Sequence, residues 1–178
     1  MPFRRIRFAA FMSAALLSAA LCGVGTAQVS SDTVQWVASV ISTEPVNRGG
    51  NATLEVSAEV KEGWHVYAVT QPRGGPTALR ITLDKNAVAQ AAGAPSGTVP
   101  ERRHDPSFDL ETDFYAHAFS LRVPVHVNQF TGDGQTIPVS VRFQACSDRE
   151  CLPPKTIHLS VPMDASPKIM DERARPAI

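Results

Sequence analysis

Between Phe119 and Val127 every second residue is apolar: Phe119, Leu121, Val123, Val125 and Val127 alternate with Ser120, Arg122, Pro124 and His126. Successive side chains of a strand point to opposite faces, so this pattern predicts a strand with one face on a core and one in water. The same alternation recurs at Leu54, Val56, Ala58 and Val60, at Ile137, Val139, Val141, Phe143 and Ala145, and at Ile157, Leu159 and Val161. Shorter strands are predicted over 34–40, 64–67 and 78–83, bounded by turn clusters such as Asn47-Arg48-Gly49-Gly50 and Pro72-Arg73-Gly74-Gly75-Pro76. About seven short strands, polar turns and no long helical period predict an all-β, antiparallel, immunoglobulin-like β-sandwich, with a barrel as the alternative that fits the same signals.

Local residue choices refine this outline. Gly132-Asp133-Gly134 reads as a hairpin turn joining the strand at 119–127 to the one that begins near Ile137, because glycine reaches positive φ at little cost. Pro124 and Pro138 fall on the outward phase of their strands, which predicts edge positions or bulges. Residues 86–100, rich in Ala, Gly and Pro without a period, read as loop, and the polar stretch 164–178 reads as a C-terminal tail.

The N-terminus changes the picture by setting a compartment. Arg4, Arg5 and Arg7, the apolar run from Phe8 to Leu21, and the small residues Gly25-Thr26-Ala27 form a secretory signal peptide pattern over 1–27, leaving a domain at 28–163 in the periplasm. The alternative is that the apolar run stays uncut as an anchor, although it is short for a membrane span. Cys22 follows Leu21 where a lipid-attachment motif wants a small residue, so Cys22 is expected to leave with the leader. No later stretch approaches the roughly 18 consecutive apolar residues of a membrane helix.

The 17 basic residues less the three leader arginines leave 14, against 17 acidic ones. A mildly acidic domain carries no electrostatic footprint for nucleic acid. No phosphate-cradling glycine loop, dinucleotide fingerprint or Gly-x-Ser-x-Gly elbow is present, so hydrolase, kinase and nucleotide-dependent readings have no support, and no cofactor is expected.

Candidate chemistry then narrows to cysteine. Of three cysteines only Cys146 and Cys151 lie beyond the leader, in a compartment where disulfides persist. Cys146 ends an alternating strand, Cys151 begins the approach to the next, and Ser147, Asp148, Arg149 and Glu150 connect them, which is hairpin geometry. Residues facing each other across a hairpin have Cβ atoms about 4.5–5.5 Å apart, close to disulfide geometry. A structural staple is the plain reading. Against it, closing so short a loop removes only about 2 kcal/mol from the unfolded state, whereas a staple for stability joins distant strands. Arg149 favours a thiolate while Asp148 and Glu150 oppose it, so no net direction follows.

The segment Phe143-Gln144-Ala145-Cys146-Ser147-Asp148-Arg149-Glu150-Cys151-Leu152-Pro153-Pro154 resembles the active-site hairpin of the N-terminal domain of DsbD, the bacterial thiol:disulfide interchange protein. Upstream, Gly63-Trp64-His65-Val66-Tyr67 resembles that family's aromatic stretch, and Asp113-Phe114-Tyr115-Ala116 its cap loop. The resemblance implies an immunoglobulin-like domain whose Cys146 and Cys151 shuttle between disulfide and dithiol. Its partners would be thioredoxin-like periplasmic oxidoreductases serving disulfide isomerisation or cytochrome c maturation, and Phe114 and Tyr115 would belong to a cap over the sulfurs. Two departures accompany it. The best-known members carry one more residue between the cysteines, and complete DsbD proteins continue into a membrane electron-transfer domain and a thioredoxin-like domain. With neither in this sequence, a thiol:disulfide oxidoreductase acting as a monomer with a membrane electron donor in trans is expected.

Around the pair, Glu111 and Asp113 are candidates to accept a proton from a leaving thiol, against the plainer reading of solvated loop charges. Trp64 and Tyr67 are candidates to flank the hairpin, with Trp64 alternatively a core anchor. The five histidines, His65, His104, His117, His126 and His158, are scattered and expected to face solvent or sit in turns. No metal is expected, and a Cys146, Cys151 and His158 metal set is the weakest reading. In exchange, a thiolate attacks the opposing disulfide to give a mixed disulfide that the second cysteine resolves, with Cys151 favoured as the one that bonds the partner. The rival class is a non-catalytic immunoglobulin-like binding module with a structural disulfide.

Overall fold

The alternating stretches fold as strands whose apolar phase is buried almost completely: Leu54, Val56, Ile137, Val139, Val141 and Val161 are all sealed from water. The fold is seen in a computed structural model that describes residues 26–31, 33–43, 45–132 and 134–163. Nearly all of the predicted signal segment and the tail 164–178 lie outside the described residues.

Among the described residues there are thirteen strands and no helix: β1 (Ala27–Ser30), β2 (Val34–Ile41), β3 (Asn51–Val60), β4 (Trp64–Tyr67), β5 (Arg80–Leu83), β6 (Ala89–Ala91), β7 (Ser96–Gly97), β8 (Glu101–Asp105), β9 (Leu110–Tyr115), β10 (Phe119–Val127), β11 (Gln135–Phe143), β12 (Ala145–Ser147) and β13 (Lys155–Met163). All pairings between them are antiparallel. The large sheet has the order β1-β2-β3-β10-β6, with β7 also paired to β10. Opposite it lie a three-stranded sheet, β13-β11-β5, and a four-stranded sheet, β12-β4-β9-β8. The result is the predicted immunoglobulin-like sandwich, and the open order of the sheets sets the barrel aside.

The core fills the space between these layers. Trp36 of β2 sits at its centre, fully buried, edge-on to Phe119 at 5.7 Å and tilted against Phe143 at 5.0 Å. Val66, Tyr115 and Ala145 of the four-stranded sheet point into the same core.

Three local expectations are corrected. The Gly132-Asp133-Gly134 stretch does not close a hairpin: β10 pairs with β3, β6 and β7, whereas β11 pairs with β13 and β5. Both strands carry a complete apolar face, and the two faces bury each other across the sandwich rather than side by side. Residues 86–100 are not merely loop, because β6 and β7 extend the edge of β10 by backbone pairing. Their Ala, Ser and Gly side chains contribute no period to read. Gly97 has φ +151°, and a Cβ there would run into the Ser120 carbonyl oxygen, so only glycine lets β7 lie this close to β10. Finally, Pro124 and Pro138 lie in inner strands, not edges. Each proline's carbonyl accepts a hydrogen bond just past the end of a short neighbour, from Ala92 N at 2.8 Å and Asp84 N at 2.9 Å. The missing N–H therefore falls where no ladder partner is needed.

Candidate active site

One residue separates the core strand β11 from the site strand β12. Gln144 makes the break: its carbonyl accepts from Tyr67 N at 3.4 Å and its side-chain Oε1 from Thr77 N at 2.8 Å. Beyond it Ala145 faces the core, so Cys146, one residue on, points to the outer face of the four-stranded sheet.

Cys146 and Cys151 are bonded, with their Cα atoms 4.0 Å apart. The hydrogen bonds on either side, Ser147 N to Glu150 O at 2.8 Å and Leu152 N to Ala145 O at 2.9 Å, make the cysteines a non-hydrogen-bonded pair. In such a pair the backbones approach most closely and the side chains meet. The turn itself is only Asp148-Arg149. Neither has positive φ, so it is not one of the primed hairpin turns, and the Ser147 hydroxyl supplies the acceptor instead, taking the N–H of Arg149 at 3.3 Å and of Glu150 at 3.2 Å.

The register places a set of side chains on the same outer face. His65 of β4 stands directly opposite Cys146, and Tyr67 opposite Phe114 of β9. Tyr67, Phe114 and Cys146 form a second, smaller apolar cluster, with Phe108, Ala116 and Cys151 packed against it. His65 packs edge-on to Tyr67 at 5.0 Å and tilted to Phe114 at 5.1 Å, and Phe108 is edge-on to Tyr67 at 5.9 Å. Cys146 is 1% exposed, whereas Cys151 remains partly exposed. The two sulfur-bearing residues thus differ in access.

Polar groups line the rim. The Tyr67 hydroxyl donates to Asp105 Oδ2 at 2.6 Å, and Asp105 Oδ1 accepts from Ser107 N at 2.8 Å, which ties the β8–β9 turn carrying Phe108 to the floor of the site. Burial and then the bond to Asp105 push the Tyr67 phenol well above its usual range. The Arg103 guanidinium lies 4.3 Å over the Phe114 ring and 3.9 Å from Asp148. Burial, and after it the Arg103 charge, hold His65 below the ordinary histidine range, while Asp105 and Asp148 act in the opposite sense. Two surface cavities reach this rim. One of about 240 Å³ is lined by His65, Arg103, Asp105, Ser107 and Asp148, and one of about 430 Å³ by Trp64, His65, Arg103, Ala116 and His117.

The remaining sequence candidates fall elsewhere. Tyr115 is on the opposite face from Phe114, stacked on Phe119 at 4.1 Å in the main core, so it takes no part in covering the sulfurs. The cap residues are not in a loop either: Phe114 and Tyr115 end strand β9, paired to β4 on one side and, through Phe114, to β8 on the other. Asp113 points away from the cysteines and is bound bidentately by Arg102, at 2.7 and 3.0 Å. Glu111 shares that far face, exposed, 3.8 Å from His104. Trp64 stands opposite Ser147 and packs against the main core, whose anchor is Trp36. His65 is 7% exposed, contrary to the solvent-facing expectation, because Phe114, Tyr67 and the hairpin close over it. His158 lies on β13 beside Ser140, at 2.9 Å, and Asp84, so it does not join the cysteines. Among the described residues no group of three His, Cys, Asp or Glu is arranged to hold a metal ion.

Sequence reasoning missed His65, Arg103, Asp105 and Phe108. Two left traces: His65 lies inside the quoted 63–67 stretch, and Asp105 opens the turn pattern Asp105-Pro106-Ser107.

Fold and site together define an all-β sandwich with a disulfide in a tight hairpin under an aromatic cover. Residues 35–162 match the family described as thiol:disulfide interchange protein DsbD, N-terminal, and the chain belongs to that family. No curated protein matches the sequence. Among solved structures, the N-terminal periplasmic domain of ScsB from Proteus mirabilis is 14% identical with a TM-score of 0.53, covering 76% of this chain and 51% of that one, so the chain spans about half the length of that structure. The reduced N-terminal domain of DsbD from Neisseria meningitidis is 13% identical with a TM-score of 0.48, covering 79% of this chain and 86% of that one.

Proposed function

We propose that this domain carries out thiol–disulfide exchange in the periplasm, exported by the segment 1–27, passing reducing equivalents through Cys146 and Cys151 to or from thioredoxin-like partner proteins in disulfide isomerisation or cytochrome c maturation. Family membership supports the reaction class, and the unequal exposure of the two cysteines is the observation that carries the order of steps. A partner thiolate attacks the accessible Cys151 sulfur, the Cys146–Cys151 bond breaks, and Cys146 leaves as a thiolate that takes up a proton. The partner's second thiolate then attacks its own sulfur in the mixed disulfide and releases Cys151. In the reverse direction the Cys151 thiolate attacks a partner disulfide, and Cys146, after losing its proton, attacks Cys151 to release the partner reduced. Phe114 packs with Cys146, and Phe108 packs against that cluster, which favours first attack at the more accessible Cys151.

The test is covalent capture with a purified thioredoxin-like periplasmic oxidoreductase and with periplasmic extract. Cys146→Ala is expected to form a complex that dithiothreitol dissolves, and Cys151→Ala to form none. Capture by neither variant, with both folded, would leave only a structural disulfide.

A further inference from the structure

His65, Cys146 and Cys151 form one row across three neighbouring segments of chain: Cys146 is the register partner of both, and all three side chains share the outer face. Directly opposed residues have Cβ atoms about 4.5–5.5 Å apart, within reach of a hydrogen bond between an imidazole and a thiol once the disulfide is open. Cys146 poses a chemical problem, because its thiol is buried among Phe114 and Tyr67 and burial opposes ionisation, yet resolution of a mixed disulfide requires the thiolate. The candidate acids and bases of the sequence do not address it: Asp113 is bound by Arg102, and both Asp113 and Glu111 point to the far face.

We propose that His65 is the proton acceptor that makes the buried Cys146 thiol competent to resolve the mixed disulfide on Cys151, and the proton donor to the Cys146 thiolate when the disulfide is opened. This rests on Cys151 being the partner-bonding cysteine. In resolution the proton passes from Cys146 Sγ to an imidazole nitrogen, the Cys146 electron pair attacks Cys151 Sγ, and the partner leaves as a thiolate. The imidazolium then returns its proton to water through the adjoining 240 Å³ cavity. The charged and titratable groups around the ring are suited to this. Arg103 and Asp105 face it from β8, Asp148 from the hairpin and Tyr67 from its own strand, with His104, Glu62 and His117 on the walls of the two cavities. Because burial and Arg103 together keep His65 neutral at neutral pH, it is poised to accept rather than already loaded.

The probe is the aromatic disulfide 5,5′-dithiobis(2-nitrobenzoate) reacted with the fully reduced protein. Its first release of thionitrobenzoate reports attack by Cys151 and depends on reagent concentration; the second reports intramolecular resolution by Cys146 and does not. His65→Gln is expected to slow the second release by tenfold or more at pH 7 while the first stays within about twofold. His65→Phe, which keeps a ring against Tyr67 and Phe114, is expected to show the same split, guarding against a packing defect in the first variant. In the unsubstituted protein the second rate is expected to fall as pH drops through the value at which the His65 ring itself titrates by NMR. A second release unaffected in a folded variant, an equal loss in both releases, or a native profile with no inflection at the His65 titration would overturn the assignment. If Cys151→Ala rather than Cys146→Ala keeps the first release, the order of the cysteines fails, and that result is recognised independently of His65.

Discussion

Two clusters on opposite faces of the four-stranded sheet β12-β4-β9-β8 are buried equally deeply but by different means. On one, Val66, Tyr115 and Ala145 meet the apolar face of another sheet in the main core. On the other, Cys146, Tyr67 and Phe114 are just as inaccessible, yet their cover is one turn with Phe108, a partly exposed Cys151, and a rim of Asp105, Arg103 and His65. Burial by a whole sheet is cooperative with the fold, whereas burial by one turn can be undone locally. The comparison teaches that the site is a second, shallow core laid on the back of the first.

The largest effect is expected on the deep side. Trp36→Ala should cost about 3–5 kcal/mol in urea unfolding, because the surrounding sheets cannot collapse into the space, with the thiol reactivity of the folded protein unchanged. A comparable rise in reactivity would show that the two cores are not separate. Next comes Tyr67→Phe, which leaves the buried Asp105 Oδ2 without its donor and should cost on the order of 1–3 kcal/mol. It should also reshape the alkaline limb of stability. Tyr67 holds its proton in the folded state above pH 10, where the unfolded chain loses it, so the stabilisation is complete below pH 10 and declines as pH rises further. Burial, and after it Asp113, raise Tyr115 as well, so the slope in the variant should shrink without vanishing, as followed by circular dichroism. The smallest change in stability, on the order of 1 kcal/mol, is expected for the half-buried Phe108→Ala. There the informative readout is kinetic: reduction of the oxidised protein by dithiothreitol should accelerate severalfold, and an unchanged rate would mean that the turn shields nothing.

What the sequence made legible follows the same division. Strands with one apolar face, such as β3, β10, β11 and β13, announced themselves because a sheet-on-sheet core demands period two. Strand β8, Glu-Arg-Arg-His-Asp, and most of β9 did not, since one face carries the polar rim and the other is solvated. The family was readable from the resemblance of three segments, 63–67, 113–116 and 143–154, and the cysteine hairpin from local spacing. Its surroundings were not, because the juxtaposition of His65 with Cys146 depends on register between segments 81 positions apart, and the partnership of Tyr67 with Asp105 on the path of three strands. The neighbours of Cys146 are set by how the sheet is laced, which no local pattern encodes.

The flanking bonds of the Cys146–Cys151 hairpin have one more consequence. Ala145 with Leu152 and Ser147 with Glu150 pair the two backbones independently of the sulfurs, and the ring the disulfide closes spans only five positions of chain. Opening it therefore frees very little chain, on the order of 2 kcal/mol of closure entropy at most. In the proposed exchange, opening and closing the bond would therefore ask little of the surrounding scaffold.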